Sequence, residues 1–358
     1  METDASPTEA SYLIAGTYAS ADQDGIYLFR FFPATGAAEL VHTVRGIERP
    51  SFLTLSSDRK HMYAVSETRN GRVYAYSFDA AKGSFQLLNT LESGGDDPCH
   101  IIVDRTGRWL FVSNYSSGSL SVYSLKPDGS LGERVDHIRH EGHSIKSQQQ
   151  SAHVHCAMPA PDGPEIFVAD LGLDRVFTYL LTPDTGRLTP GDPPYVAVEA
   201  GTGPRHLIFS GDGKFLYLIQ ELGGMVTVFR RHAGKLNQIQ SVSSLPEGYQ
   251  GRIWAADLQL SPDGRFLYAA NRDDLNDIVQ YAVDQATGLL TYRERVGTGG
   301  KTARNFVLSP DGGMLLVAHR NGKEIHVFRR DSATGTLHRL ATPIPVPQAV
   351  CLKMCSVP

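Results

Sequence analysis

Arg205 and Glu221 stand sixteen positions apart, on either side of an Asp212-Gly213 turn. If the flanking runs PRHLIFS and KFLYLIQE pair as an antiparallel hairpin, residues equidistant from Gly213 face each other at its far end. A guanidinium would meet a carboxylate there. The same count from the other turns sets Ser51 against Glu67, Cys99 against Tyr115, His155 against Asp170-Leu171, Ala256 against Arg272 and Arg304 against Arg320. One step along come His100, His206, Asp257, Asn271 and Asn305. Gathered at one opening, these side chains make a ring of cations, imidazoles and carboxylates. Arginines crowded there repel one another unless an anion or carboxylates balance them. The chemistry that follows is anion binding beside a Glu and a His able to act as acid or base. For any one of these residues the plain alternative is a hairpin staple or a solvated channel wall.

What must position them is a phrase that occurs six times: an apolar run, a Ser/Pro-Asp-Gly-type turn, and a second apolar run ending in polar residues. GPRHLIFSGDGKFLYLIQE and AADLQLSPDGRFLYAANR are two copies. The turn anchors are Asp58, Thr106, Asp162, Asp212, Asp263 and Asp311, a period of about 50 residues, which with short strands marks a propeller blade. Each copy continues into two further alternating runs, such as MVTVFRRH (225–232) and LNQIQSVSS (237–245). Residues 11–18, 25–32 and 38–44 supply a second, third and fourth strand, and 346–354 supply the missing first strand. The expected fold is all-β: a seven-bladed β-propeller of four-stranded antiparallel blades, closed by N- and C-terminal strands sharing one blade. Residues 1–10 are expected to be a disordered leader, and 11–358 a single propeller domain. The longest insertion, 140–153, is polar and loop-like.

Thirty-five glycines and 20 prolines suit many strands joined by tight turns. A formal net charge of −4 argues against nucleic acid or anionic membranes as partners, and no segment reads as a membrane span. The N-terminus lacks the basic and apolar regions of an export signal, so a cytoplasmic protein is expected. The four cysteines, Cys99, Cys156, Cys351 and Cys355, form no CxxC pair and read as reduced, buried thiols. GTGGKT (297–302) ends like a phosphate loop, but Arg295 stands where that loop needs glycine. His140-Glu141-Gly142-His143 is one residue short of HExxH spacing, and His153 and His155 share a strand face without a third ligand. No metal and no cofactor are expected. The expected partner is an anionic small molecule, bound by a monomer or weak homodimer.

Several of these segments resemble the lactonase family of seven-bladed propellers, which includes phosphogluconolactonases and carboxymuconate cyclases. They are LIAGTY, HVHCAMPAPDG with VADLGLDRVFTY, GTGPRHLIFSGDGKFLYLIQEL, and RIWAADLQLSPDGRFLYAANR, and the likeness runs from Tyr12 to Met354. The resemblance implies His155, Arg205, Glu221 and Arg272 as catalytic residues. It departs from the family pattern at DDLNDI (273–278), where a Gly-His-Ser-like stretch is usual. The implied function is metal-independent hydrolysis of a sugar lactone, foremost 6-phosphoglucono-1,5-lactone of the pentose phosphate pathway. His155 or Glu221 would be the base, and Arg205 the oxyanion or anchor residue. Tight pairing with Arg205 would weaken Glu221 as a base and favour His155. Arg272 and Arg304, with His100 or His206, would hold the phosphate, and Asn271 and Glu67 would line the substrate site. A muconate-type cycloisomerase is the enzymatic alternative. A non-catalytic propeller scaffold is the other, since LFVSNYSSGSLSVY resembles YVTN-type surface repeats.

Overall fold

A computed structural model describes residues 10–357, so the leader expected over 1–10 lies, apart from Ala10, outside them. The described residues form seven antiparallel sheets, numbered here as blades from the first complete one. Blade 1 starts at Leu53–Leu55, blade 2 at Pro98–Val103, blade 3 at Val154–Pro159 and blade 4 at Pro204–Phe209. Blade 5 starts at Ala255–Leu260 and blade 6 at Ala303–Leu308, the latter with an added short strand, Ile344–Pro345. Blade 7 is the composite one: Ala349–Ser356 is its inner strand and pairs with Ser11–Thr17, which is followed by Ile26–Phe32 and Ala37–Val44. Successive inner strands are neighbours all the way round, and Ala349–Ser356 touches the inner strands of both blade 6 and blade 1. The ring is closed, so the short inner-strand edges, unpaired on one side, face the shared channel.

The sequence phrase has a local cause at each step. The second strand of a blade is covered on both faces by adjoining blades, so FLYLIQ (Phe215–Gln220) and MLLVAH (Met314–His319) are buried throughout. Between blades 4 and 5, for example, Tyr217, Ile219 and Val228 pack against Leu258, Leu267 and Tyr281. The outermost strand, such as Lys235–Ser243, has one solvated face and reads as mixed. The Ser-x-Asp-Gly turn is built from its own side chains. Ser210 Oγ donates to Asp212 Oδ1 (2.7 Å) and accepts from the Phe215 N–H (3.0 Å), and Gly213 takes φ +70°. Blades 5 and 6 repeat this with Ser261–Asp263 and Ser309–Asp311. The 140–153 insertion holds one short 3-10 turn, Ser147–Gln149, the only helical segment among the described residues. No helix is long and apolar enough to cross a membrane.

Candidate active site

One device recurs at the end of every inner strand away from the Asp-Gly turns. In blade 4, Pro204 pairs with Gln220 but His206 pairs with Ile219, so Arg205 is an extra residue bulged out of the ladder. The same one-residue slip falls at Cys99, His155, Arg304 and Val350, and between Ala255 and Leu258 in blade 5. Blade 1 shows it through backbone bonds from Val65 to Phe52 and from Glu67 to Arg49, which leave Ser51 over. Beyond each bulge a backbone N–H closes the hairpin: those of Glu67, Tyr115, Leu171, Glu221, Arg272, Arg320 and Tyr18. The residue that accepts this bond is left-handed in five blades, as Arg49, Asp97, Gly203, Thr302 and Gln348. Bulges re-aim side chains, and here they bring Cys99, His155 and Arg304 to one mouth of the channel.

The result is a cavity of about 350 Å³ at that mouth. Arg205 Nε donates to Glu221 Oε2 (2.7 Å), and Arg272 Nη2 lies 2.8 Å from the same oxygen. Neither contact uses Oε1. All three residues are buried, Arg205 to 2% exposure. Burial alone would raise the Glu221 pKa, but the charges of Arg272, Arg205 and Arg304 outweigh it and hold the carboxyl below its usual range. His155 lies against Tyr115, with ring centroids 5.6 Å apart, and its Nδ1 is buried without a partner. Desolvation, then Arg205, drives its pKa well below the ordinary imidazole value, so the ring is neutral at physiological pH. Across the ring, Glu67 accepts from the Tyr18 hydroxyl (2.6 Å) and faces Arg304 at 3.8 Å. Arg304 and Arg320 both sit over the Tyr18 ring, at 5.4 and 5.0 Å. Burial opposes charge on Arg304, but Tyr18 and Glu67 more than offset it, and the guanidinium stays protonated.

Of the residues singled out from sequence, His155, Glu67, Glu221, Arg272 and Arg304 line this cavity and Arg205 braces it from behind. Three others are placed elsewhere. Asn271 ends the second strand of blade 5 one residue before Arg272 and therefore points the opposite way. Its Nδ2 donates to Ser244 O and Asp277 Oδ1 (2.9 Å each), inside the sheet rather than in the substrate site expected for it. His100 and His206 follow the bulged residues and form a separate layer beneath the cavity. His206 Nδ1 lies 2.8 Å from Asp257 Oδ1, and His100 packs on Phe52 with centroids 4.6 Å apart. Burial lowers both imidazole pKa values, that of His206 to about 4. Neutral and outside the cavity, neither offers the cation that phosphate binding was expected to draw from it.

The cavity also holds residues that counting from turns missed. Tyr18 is the blade 7 counterpart of Glu221, visible only once SYLIAGTY is aligned as a second strand. Trp254 carries the carbonyl that receives the Arg272 N–H (2.8 Å), and its ring lies under that guanidinium, 5.6 Å from centroid to Cζ. The divergent DDLNDI stretch forms part of the wall. Thr302 Oγ1 donates to Asp273 Oδ1 (3.1 Å), and Asn276 Oδ1 accepts the Thr302 N–H (2.6 Å). Asp274 Oδ2 accepts the Arg252 N–H (3.2 Å), which fixes the loop that brings Arg252 to the rim. No spacing rule points to Arg252. His153 stacks on Tyr115 at 4.3 Å and donates to its carbonyl, and His140 is bound between Asp170 and Tyr179 (2.7 and 2.8 Å). All four cysteines are free thiols and buried.

Comparison with known proteins agrees with this architecture. Residues 12–354 match the family model described as a lactonase, 7-bladed beta-propeller. The 6-phosphogluconolactonase of Formosa agariphila is 33% identical over 338 residues, covering 92% of this chain and 95% of the relative. That of Bacillus subtilis is 31% identical over 341 residues, covering 94% and 96%. Among solved structures, the periplasmic gluconolactonase of Pseudomonas aeruginosa superposes with a TM-score of 0.94 at 37% identity, covering 98% of this chain and 100% of that one. With a family match over nearly its full length, and relatives above 30% identity along almost all of it, this chain belongs to the lactonase family of seven-bladed β-propellers.

Proposed function

We propose that this protein hydrolyses an anionic sugar δ-lactone, with 6-phosphoglucono-1,5-lactone as the preferred substrate and no metal in the reaction. The observation that carries the reading is the charge distribution of one cavity. Five guanidiniums (Arg205, Arg252, Arg272, Arg304, Arg320) surround it with three carboxylates (Glu67, Glu221, Asp273). The difference is an excess of two positive charges, which a phosphate monoester dianion neutralises. The carboxylates suit the hydroxyls of a sugar, which the tricarboxylate of a muconate-type cyclisation lacks. That cyclase reading, and a non-catalytic scaffold, are the readings left behind. The names of the relatives point the same way, and a sugar phosphate substrate would suit a cytoplasmic enzyme of carbohydrate metabolism.

In the proposed reaction His155, neutral and lining the cavity, takes a proton as water attacks C1 of the lactone. The carbonyl oxygen gains charge and is met by the Arg272 and Arg205 guanidiniums, which Glu221 holds in place through a single oxygen. Collapse of the tetrahedral intermediate breaks the C1–ring oxygen bond, and the proton returns to the departing alkoxide. Arg304 and Arg320, on the side of the ring formed by blades 6, 7 and 1, take the phosphate. The test is kcat/KM on 6-phosphoglucono-1,5-lactone and on unphosphorylated glucono-1,5-lactone, with purified, chelator-treated protein. A preference of about tenfold or more for the phosphorylated lactone is expected, and Arg304→Met should abolish it, since each tenfold is about 1.4 kcal/mol of phosphate contact. Equal rates on both lactones, or no hydrolysis of either, would remove this substrate.

A further inference from the structure

Beneath the cavity, hydrogen bonds cross the channel from the closing strand to Glu221. The Leu352 N–H of blade 7 donates to Asn305 Oδ1 (2.6 Å), and Asn305 Nδ2 donates to Asp257 Oδ2 (2.5 Å). Asp257 Oδ1 lies 2.8 Å from His206 Nδ1. Arg205 Nη1 rests against the His206 ring, 3.3 Å from Nε2 and 3.4 Å from Nδ1, and also donates to Ala256 O. Arg205 Nε then donates to Glu221 Oε2. Asn305, Asp257, His206 and Arg205 are each 6% exposed or less. They come from three blades and lie at or next to the bulges of their inner strands.

We infer that the Asp257–His206 pair is a positioning unit for Arg205: Asp257 anchors the imidazole as the neutral Nδ1–H tautomer, so that an uncharged ring face supports the guanidinium. The chemistry allows little else. A carboxylate with both oxygens already engaged accepts from Nδ1–H. A neutral ring with its N–H bound to Asp257 lays an uncharged π-face against the guanidinium. Had the proton been on Nε2, Asp257 would lose its donor and the ring its anchor; had the ring been charged, two buried cations would lie in contact. Arg205 in turn holds the oxygen of Glu221 that Arg272 shares. A shift of that guanidinium by a fraction of an ångström would disturb every group proposed to meet the oxyanion. Neither Asp257 nor His206 touches the cavity, so their part in the reaction is indirect. The inference rests on the proposed lactonase site only in supposing that Arg205 and Glu221 are its centre.

The decisive experiment exchanges the carboxylate and the amide. In Asp257→Asn alone, Asn305 Nδ2 claims the new amide's oxygen, so its NH2 faces His206 Nδ1 and moves the ring proton to Nε2. In the double variant Asp257→Asn with Asn305→Asp, the amide donates to the carboxylate now at position 305 and turns its oxygen to Nδ1–H, which restores the tautomer and the charge of the layer. If the pair positions Arg205, turnover falls by about 10- to 100-fold in the single variant with KM little changed, as for other supporting shells. In the double variant it returns toward the wild-type rate. Nitrogen-15 shifts of the His206 ring should show protonated Nδ1 in the wild type and the double variant, and protonated Nε2 in the single one. Wild-type turnover in the single variant, or an Nε2–H ring in the wild type, overturns the inference. Arg205→Ala separates this from the parent reading: if that variant is fully active, the site itself is wrong, whatever its lower layer does.

Discussion

Glu221 has two guanidiniums on one oxygen and almost no solvent, an arrangement that is tolerable only as a trio. Taking away the carboxylate leaves Arg205 and Arg272 buried and facing each other. Glu221→Gln should therefore lose about 3–5 kcal/mol of stability, the usual consequence of breaking a buried ion pair from one side. Turnover should drop by about 100-fold or more if the arginines are the oxyanion donors. Thermal unfolding and single-turnover rates measure the two effects separately. An active, fully stable Glu221→Gln would mean that the clamp holds nothing in place. The neutral state of His155 leads to a second expectation. Its pKa lies well below the imidazole norm because of burial, then Arg205, and that of Glu221 is held below the carboxylate norm. The pH profile of kcat should therefore have no inflection near 6.5 and fall only at distinctly acid pH. A limb centred on 6.5 would assign the base to a solvated imidazole instead.

At the scale of the strand, the extra residue in each inner strand is the aiming device, and its effect is separable from stability. Gly203 (φ +68°) receives the Glu221 N–H on its carbonyl, two residues before the bulged Arg205. Gly213 (φ +70°) forms the turn at the opposite end of the same hairpin. Alanine is strained at either, by about 1–3 kcal/mol. At Gly203 its Cβ would meet the side chains of Leu222 and Leu171 at 3.0–3.1 Å, and at Gly213 that of Pro161 at 2.7 Å. Gly203→Ala should lower turnover with Arg205 and Glu221 intact, whereas Gly213→Ala should lower only the melting temperature. Equal loss of turnover in both would deny the bulge this role. The same feature marks how far the sequence could be read. Turns and buried second strands repeat in the letters, so seven blades, the shared closing blade and the meeting of Arg205 with Glu221 were legible. A bulge adds one residue without any change of composition, so a count of two per step could not see that Arg205 and His206 belong to different layers. Asn271 was read into the ring although strand alternation turns it away from the side that Arg272 faces. Arg252 arrives on a loop fixed by Asp274, just ahead of the repeat copy that begins at Ala255, where no count from a turn reaches it.

For the molecule as a whole, closing seven sheets round one axis buries imidazoles that the unfolded chain would expose, and acid should open the ring earlier than carboxylates alone would. His100, His155 and His206 lie in the channel and His319 ends the second strand of blade 6, all with pKa values lowered chiefly by burial, His206 and His319 to about 4. Unfolded, each binds a proton near pH 6.5. Between that pH and the folded value the unfolded chain carries more protons than the native one, so stability rises with pH in this window and is lost as pH falls. For His206 the span from 6.5 to about 4 amounts to about 3 kcal/mol. Glu221 and Asp257 have depressed pKa values. Their contribution is complete above the ordinary carboxylate range and is lost only below it. Acidification should thus destabilise the propeller in two stages, first through the histidines from about pH 6.5 and then through the carboxylates. Denaturant midpoints measured at intervals from pH 7.5 to 4 test this. His319→Asn, which lies outside the proposed site, should flatten the first stage by its share and leave turnover unchanged. A midpoint constant down to pH 5 would show that these rings keep their protons on folding and that the channel is wetter than its packing implies.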